Sequence, residues 1–229
     1  DVAATDGFLG LLSFIFLQDN RWKFYINGLG ITLIVSLLSV IVGILIGLVV
    51  ALVRLGAAKK GRRTVLSTIA DVYVDVIRGT PSVLQLMIIY FAVFHSRLGY
   101  VAAVVSFGIN SGAYVSEIFR AGIQSIDKGQ MEAGRSLGMS WAQTMRYVIM
   151  PQAFKRIIPP LGNEFIAMLK DSSLVSVIGF EELTRRGQLI IARTYASFEI
   201  WMAVAVIYLI MTFTVARLVG MLERRYDTK

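Results

Sequence analysis

The sequence predicts an all-α integral membrane protein. Of its 229 residues, 56% are hydrophobic and 17% are charged, and the mean hydropathy is +0.68. This composition, together with uncharged runs long enough to span a bilayer, is typical of a bundle of transmembrane helices and not of a soluble domain. The length suits a single domain of several helices.

Five apolar segments are each long enough, alone or with a neighbour, to cross the bilayer. The first, residues 29–53, is about 25 residues long and carries no charge. The second, residues 84–94, is short and needs the helix before it, across a break at Gly79, Thr80 and Pro81. The others are residues 100–115, 157–180 and 198–222. We therefore predict five transmembrane helices in a domain of residues 24–225, preceded by an external or interfacial segment of residues 1–23.

The distribution of basic residues sets the orientation, because cytoplasmic loops carry an excess of Lys and Arg. If the loop after the first span is inside, fifteen Lys and Arg residues lie on the cytoplasmic side and six on the other. We therefore expect the N-terminus outside and the C-terminus in the cytoplasm. The net charge of +8 then reflects membrane orientation and gives no reason to expect a nucleic-acid partner.

Several classes of chemistry lack the residues that they require. The chain has no cysteine, which excludes disulfides and thiolate metal sites, and its one histidine has no partners at metal-ligand spacing. No glycine-rich loop ending in Gly-Lys-Ser or Gly-Lys-Thr occurs, so we do not expect the chain itself to hydrolyse ATP. No Ser/His or paired-Asp pattern supports an intramembrane enzyme. We expect no catalytic residue, no metal site and no bound cofactor in this chain.

A polar stretch, residues 125–151, lies between two apolar segments on the predicted cytoplasmic side and is called the elbow here. Asp127 with Gln130, and Ser140 with Gln143, form two capping-box patterns that each open a helix. A glycine at position 138 suits the left-handed residue that closes the first helix. The elbow is therefore expected to be two short helices set at an angle, which present a rigid knob to a cytosolic partner.

The spacing in the elbow resembles the loop shared by permease subunits of ATP-binding-cassette (ABC) importers. That loop runs Glu-Ala-Ala, three residues, Gly, nine residues, Ile, any residue, Leu-Pro. This chain matches it at Glu132, Ala133, Gly134, Gly138, Ile149, Met150 and Pro151. Gly134 replaces alanine and Met150 replaces leucine, both mild changes, and Pro151 is predicted to begin a new helix. The resemblance implies that the residues coupling this chain to an ATPase are Glu132, Ala133, Gly134, Gly138 and Pro151.

Polar residues inside the predicted spans mark a candidate binding site, because burying them in a bilayer is costly. Glu164 lies about 13 residues, or about 20 Å, along the helix from Pro151 and so near the midplane. No Lys or Arg lies one turn away to pair with it, which favours a functional role. Pro159 and Pro160 are predicted to interrupt this helix, and broken helices at this depth are where transporters tend to hold substrate.

Other polar residues complete the predicted site. Asn163 precedes Glu164, while Asn110 and Ser111 lie on the third span. Asn110 and Ser111 also have a purely structural interpretation, since such residues often only bond across a helix interface. Two more polar residues follow the break in the second span. The predicted substrate-binding residues are thus Glu164, Asn163, Asn110, Ser111, Gln85 and Ser82.

Five motifs in order extend the resemblance to about residues 24–225. They are residues 78–81, 109–114, the elbow, 161–164 and 173–179. Together they resemble the permeases of the polar amino-acid uptake branch of ABC importers. The resemblance implies the type I importer permease fold in a bacterial cytoplasmic (inner) membrane. It also implies a second permease copy or close relative, two copies of a cytosolic ATPase that binds ATP and Mg, and an external amino-acid receptor.

Within that branch, an acid at position 164 implies a substrate with a cationic side chain: arginine, lysine or histidine. Asn110 and Ser111 would then face the backbone charges of the ligand. Two alternatives stay open. One is a neutral or acidic polar amino acid such as glutamine or glutamate; the other is a membrane scaffold or sensor whose elbow recruits a signalling partner. A scaffold needs no polar cluster at mid-membrane, so Glu164 and Asn163 argue against it.

The sequence leaves two features of the outer face open. The connection between Arg97 and Val101 is very short, so it is either a tight turn through Gly99 or a place where residues are missing. The chain starts at Asp1, which leaves room for a receptor fused upstream. The receptor is expected to contact the N-terminal segment and residues 179–197, whose charged side chains suit a soluble partner.

Overall fold

The computed structural model describes residues 7–59 and 63–226, and every regular element in those ranges is a helix. The all-α prediction is therefore confirmed. Some of the residues on which the sequence-based predictions depend lie outside the described ranges. These are the start of the N-terminal segment and three basic residues of the orientation count, Lys60, Arg62 and Lys229.

The N-terminal segment folds back onto the last helices of the chain. It consists of α1 (Gly7–Leu12), a π-helical turn (Ser13–Leu17) and a 3-10 turn (Gln18–Asn20). Phe14 and Ile15 are buried in a cluster with residues near the C-terminus. Arg21 is also buried: its guanidinium donates to the Phe14 carbonyl, stacks on the Phe14 ring and pairs with Asp19 at 3.2 Å.

The centre of the bundle is a long pair of helices, α2 (Arg21–Lys59) and α5 (Gly99–Gln124). Glycines allow them to approach closely. A Cβ on Gly43 would lie 2.7 Å from the Ser111 side chain, and one on Gly47 would lie 2.7 Å from Val115. Small residues four apart on α2 therefore serve helix packing, as their spacing indicates.

Between α2 and α5, the second apolar segment is broken in two. Helix α3 (Val65–Gly79) and helix α4 (Ser82–Ile88), which continues in a π turn (Ile89–Val93), meet at 108°. Pro81 is the N-cap of α4, and its ψ of 132° makes it an extended residue that a continuous helix could not contain. The predicted break at Gly79, Thr80 and Pro81 is confirmed.

The short connection into α5 is a tight turn. Its left-handed residues are His95, Ser96 and Leu98, with φ between 51° and 60°. Gly99, which the sequence suggested as the pivot, is instead the first residue of α5. The turn is therefore made without the residue that tolerates positive φ best.

The elbow contains α6 (Lys128–Ser136) and α7 (Trp141–Thr144), and a π turn (Met145–Ile149) joins α7 directly to α8 (Met150–Asp171). Pro151 lies in the first turn of α8, as predicted, although the helical backbone enters α8 from the π turn without a break. In that π turn Met150 donates to the Met145 carbonyl five residues back, and the wider turn leaves room for the proline ring.

The predicted interruption at Pro159 and Pro160 is wrong, since α8 runs through both. Two prolines remove two helical N–H donors, but packing on both sides of α8 holds its course. A Cβ on Gly122 of α5 would meet Ile157 at 2.4 Å, and one on Gly162 would meet a side chain of the last helix at 2.4 Å.

The C-terminal part is a 3-10 segment (Ser172–Ile178), helix α9 (Leu183–Thr194) and helix α10 (Ser197–Tyr226). Glu182 caps α9 and is fully buried. Its carboxyl group accepts from the backbone N–H groups of Thr184 and Arg185 at 2.8 Å and from the Tyr208 hydroxyl at 2.9 Å. Burial raises the pKa of this carboxyl, and the two backbone donors oppose that shift. These bonds fix the start of α9 against α10.

Three described helical stretches are long and apolar enough to cross a membrane: 7–57, 99–124 and 197–224. The bent pair of α3 and α4 makes a fourth if it counts as one span. Helix α8 carries five charged residues, so its composition alone does not identify it as a span. Five spans, the outside N-terminus and the division at residue 23 stay predictions.

Candidate functional site

The first half of the candidate coupling site is the bend of the elbow. Gly138 has φ +84°, Met139 donates to the Gly134 carbonyl at 3.1 Å, and Gly138 donates to the Arg135 carbonyl at 3.0 Å. This pair of bonds is the Schellman motif, which closes a helix with a left-handed glycine. The left-handed, helix-closing position predicted for Gly138 is confirmed, and its role in coupling stays a prediction.

The N-terminal cap of α7 matches the prediction in full, and that of α6 matches it in part. Ser140 and Gln143 form a complete capping box, with bonds of 3.2 Å and 2.7 Å in the two directions. Asp127 caps α6 through the Gly129 N–H at 2.6 Å, but the reciprocal bond from Gln130 is not formed. The capping box predicted there is therefore only half right.

The two arms touch at Gly134, which is the buried member of the predicted coupling set. A Cβ at this position would lie 2.5 Å from Thr144 Cγ2. Glu132, Ala133, Gly138 and Pro151 are exposed, and so is Leu137 at the tip, with 83% of its surface accessible. The elbow thus offers a polar surface with one projecting apolar side chain, fixed by tight backbone contact behind it.

The candidate substrate site is formed by two adjoining cavities between α3, α4, α5 and α8. One, of about 390 Å³, is lined by Thr80, Ser82, Asn110 and Asp171. The other, of about 510 Å³, is lined by Arg78, Glu117, Ser125 and Arg156. Tyr114 and Glu164 line both. Glu164 therefore stands where the two cavities meet.

Glu164 is partly buried, and the Ser111 hydroxyl donates to its Oε1 at 2.7 Å. Ser111 itself is fully buried in α5. Within residues 7–59 and 63–226, no Lys or Arg forms an ion pair with Glu164. The carboxyl group is thus held in place by a neutral group and has no cationic partner among the described residues.

Asn110 is buried at the cavity wall and donates to Gln85 Oε1 at 2.9 Å. Gln85 lies behind it, away from both cavities, and bonds to backbone carbonyls at the break between α3 and α4. Ser82 lines the cavity at the start of α4. Asn163 is exposed on α8 and lines neither cavity. The structure thus brings together Glu164, Asn110, Ser111 and Ser82, with Gln85 one layer further out.

Three charged residues line the cavities without being among the predicted site residues. Arg78 lines the larger cavity, with its guanidinium 5.3 Å from the centre of the Tyr114 ring. Asp171 lies two helical turns beyond Glu164 and shares a cavity with it, and this seven-residue spacing on one helix could have indicated it. Glu117, in the larger cavity, is paired with Arg54 and Arg120.

That pairing is part of a four-residue network near the end of α2. Arg54 Nε lies 2.7 Å from Asp71 Oδ1, and Nη1 of the same guanidinium donates to Glu117 Oε1. Arg120 bonds the second oxygen of Glu117. The network connects α2, α3 and α5 with two positive and two negative charges, so its charges are balanced without a ligand.

Among the residues that the structure describes, no group of three or more His, Asp and Glu could hold a metal ion.

A family model described as "Binding-protein-dependent transport system inner membrane component" matches residues 43–228. The chain belongs to this family. A solved structure, described as the crystal structure of an amino acid ABC transporter with histidines, superposes on this permease with a TM-score of 0.84. The two sequences are 45% identical, and the match covers 96% of this chain and 99% of the other. The predicted family, amino-acid transport and type I importer permease fold are confirmed.

Relatives of the permease have names that refer to different amino acids. The "Glutamine transport system permease protein GlnP" of Escherichia coli K12 is 51% identical over 166 residues, which cover 70% of this chain and 76% of that protein. The "Arginine transport system permease protein ArtQ" of Bacillus subtilis is 40% identical over 207 residues, covering 88% and 92%. The permease is a membrane component of an amino-acid ABC importer, and the family implies ATP-binding subunits and a substrate-binding protein as its partners.

Proposed function

We propose that the permease carries amino acids with a cationic side chain, such as arginine, lysine or histidine. The observation that carries this proposal is the position of Glu164. It is a carboxylate at the junction of two cavities, held by a serine hydroxyl and without an ion-pair partner in the part of the chain that the structure describes. A guanidinium or ammonium would supply the missing partner through a charge-assisted hydrogen bond.

Other groups in the cavities suit the rest of such a ligand. Asp171 adds a second acidic group beside Glu164, which raises the local preference for a cation. Arg78 offers a guanidinium that would pair with the ligand's carboxylate, while Asn110, at the wall of the smaller cavity, would face its α-amino group. Ser111 lines neither cavity and acts through its hydrogen bond to Glu164. A neutral amino acid would leave Glu164 charged and unpaired, which costs roughly 2–5 kcal/mol for a buried pair.

Glutamine is the second candidate substrate. It is favoured by the similarity to a glutamine permease at 51% identity. A glutamine side chain could donate its amide to Glu164, but it would not neutralise the carboxylate. The two candidates differ in one quantity, the affinity for a cationic side chain relative to its neutral counterpart.

The assembly that we propose is a dimer of this permease, or a pair with a close relative, in a bacterial cytoplasmic membrane. Two ATPase subunits, which bind ATP and Mg, would dock on the elbow, and this chain would bind no cofactor of its own. The receptor would contact the outer surface around α9, and it could be a separate protein or be fused upstream of Asp1. The support for the elbow as docking surface is its rigid Schellman bend and its exposed tip, Leu137.

The test is ligand-stimulated ATP hydrolysis by the reconstituted complex of permease, ATPase and receptor across the twenty amino acids. The proposal expects arginine, lysine or histidine to give the greatest stimulation. Greatest stimulation by glutamine would support the second candidate. Stimulation by no amino acid would contradict both.

A further inference from the structure

Gln85 is held at the break between α3 and α4 by acceptors alone. Its Nε2 donates to the Ile77 carbonyl at 2.8 Å, to the Thr80 carbonyl at 3.1 Å and to Thr80 Oγ1 at 2.8 Å. The Thr80 hydroxyl proton is already used, since Oγ1 donates to the Val76 carbonyl at 2.8 Å. The three atoms around Nε2 therefore all act as hydrogen-bond acceptors.

This arrangement favours one orientation of the Gln85 amide. If the amide turned by 180°, its oxygen would face two carbonyls that have no proton to offer, and the Thr80 hydroxyl would donate to it only by giving up its bond to the Val76 carbonyl. The break creates these acceptors, because Pro81 has no N–H and the end of α3 leaves its carbonyls without helical donors. Gln85 Oε1 must then point the other way, towards Asn110.

The orientation of Asn110 follows from that of Gln85. Asn110 Nδ2 donates to Gln85 Oε1 at 2.9 Å, so its own carbonyl oxygen lies on the opposite side of the amide. Asn110 lines the cavity that contains Glu164 and Asp171. No donor among the residues that the structure describes reaches Asn110 Oδ1.

We infer that Gln85 is a positioning residue that turns the carbonyl oxygen of Asn110 towards the cavity, where it accepts from the α-ammonium group of the substrate. The inference rests on the proposed function only in that the cavity binds an amino acid; it does not depend on which one. Without Gln85, the Asn110 amide is free to turn and present its N–H groups, which repel an ammonium. The break between α3 and α4 thus orients the amide of Gln85, and Gln85 in turn makes the cavity wall at Asn110 a hydrogen-bond acceptor.

The test compares amino acids with analogues that lack only the α-amino group. Binding of arginine and 5-guanidinopentanoate, and of glutamine and 4-carbamoylbutanoate, is measured by calorimetry on the permease–ATPase complex without receptor. In Gln85→Met, the Kd of the amino acid that wild type binds should rise about tenfold or more, the worth of one hydrogen bond to a charged group. The Kd of its analogue should change less than about threefold. An equal loss for both would mean that Gln85 has only a structural role, and would overturn the inference.

Two variants of Asn110 approach the same inference from the other side. Combining Gln85→Met with Asn110→Ala should weaken amino-acid binding no further than Asn110→Ala alone, because both act on one contact. Asn110→Leu, which also lacks the carbonyl oxygen, should weaken amino-acid binding about as much as Asn110→Ala does and should spare the analogue. Equal binding of the amino acid by wild type and Asn110→Leu would overturn the inference, and this result does not require that Gln85→Met folds.

The outcomes separate the inference from the proposed substrate. If wild type binds glutamine and not arginine, the proposed substrate is wrong, and the glutamine pair still decides the role of Gln85. If wild type binds arginine and Gln85→Met weakens arginine and its analogue equally, the substrate stands and the inference fails. Binding of none of the twenty amino acids by wild type would overturn both.

Discussion

Gly134 is the point where the two arms of the elbow touch, and replacing it with alanine tests how the bend is held. The added Cβ would lie 2.5 Å from Thr144 Cγ2, 2.9 Å from Oγ1 and 3.2 Å from Cβ. Distances this short require Thr144 to move. The loop that this elbow resembles has alanine at the corresponding position, so the substitution looks conservative by sequence.

Two effects of opposite sign decide the result. Alanine in a helix is favoured over glycine by about 1 kcal/mol, which would stabilise α6. Overpacking by a methyl group costs typically about 1–3 kcal/mol. We therefore expect Gly134→Ala to destabilise the folded permease by up to about 2 kcal/mol. In a Thr144→Ala background, where Cγ2 and Oγ1 are gone, the same substitution should be neutral or stabilising by up to about 1 kcal/mol.

The assay is chemical unfolding of the permease in detergent, followed by tryptophan fluorescence, for both single variants and the double variant. A coupling free energy of about 1–3 kcal/mol between the two positions is expected. The two sites would be independent if Gly134→Ala had the same effect in both backgrounds. That result would refute the contact at Gly134 as the element that holds the arms together.

Three other predictions concern different parts of the molecule. Gly138→Val should insert normally but fail to co-purify with the ATPase, because valine rarely adopts a φ of +84°. Gly138→Asn, which tolerates positive φ better, should retain much of the association. Co-purification of the valine variant with the ATPase would contradict the docking role. Arg54→Met should lower the free energy of unfolding by roughly 2 kcal/mol, since it removes two hydrogen bonds between charged groups; an unchanged unfolding midpoint would show that the network adds no stability. Charge reversal at Arg185 and Arg186 should reduce ATPase stimulation by the receptor and spare basal hydrolysis, and equal stimulation would place the receptor elsewhere.

Local signals in the sequence predicted the turns and caps well. Gly138, the box of Ser140 with Gln143, and the break before Pro81 are each decided by a few neighbouring residues. Such features depend on backbone sterics and short-range hydrogen bonds, which the sequence displays directly. The structure has these three, but it lacks the reciprocal bond expected from Gln130 to Asp127 and does not use Gly99 as the pivot of the turn.

Proline was the signal that misled. Pro159 and Pro160 were expected to interrupt a helix, yet α8 runs through both. Close packing on both sides of α8, against Gly122 of α5 and against α10 at Gly162, holds the helix despite the missing donors. This packing involves residues on other helices, which the local sequence does not show.

The candidate site was predicted only in part, because some of its contacts join residues that lie far apart in the sequence. Glu164 could be identified because a lone carboxylate in an apolar helix is costly wherever it lies. Glu117 and Arg78 each had a charge and a helical position, but only the packing of α2, α3 and α5 shows that both line the larger cavity and that Glu117 is paired there with two arginines. The placement of Gln85 behind Asn110 also needs the third dimension, since 25 residues separate them.

The central claim, that Glu164 selects cationic amino acids, is tested most directly by binding of arginine and glutamine to the permease–ATPase complex in the absence of receptor. We expect wild type to bind arginine more tightly than glutamine by at least about tenfold. Glu164→Gln should lose about tenfold or more in arginine affinity, with glutamine affinity equal or improved. Asp75→Asn is the matched control, because Asp75 is an exposed carboxylate that lines neither cavity, and it should change neither affinity. Wild type binding glutamine at least as tightly as arginine, or unchanged arginine affinity in Glu164→Gln, would contradict the claim.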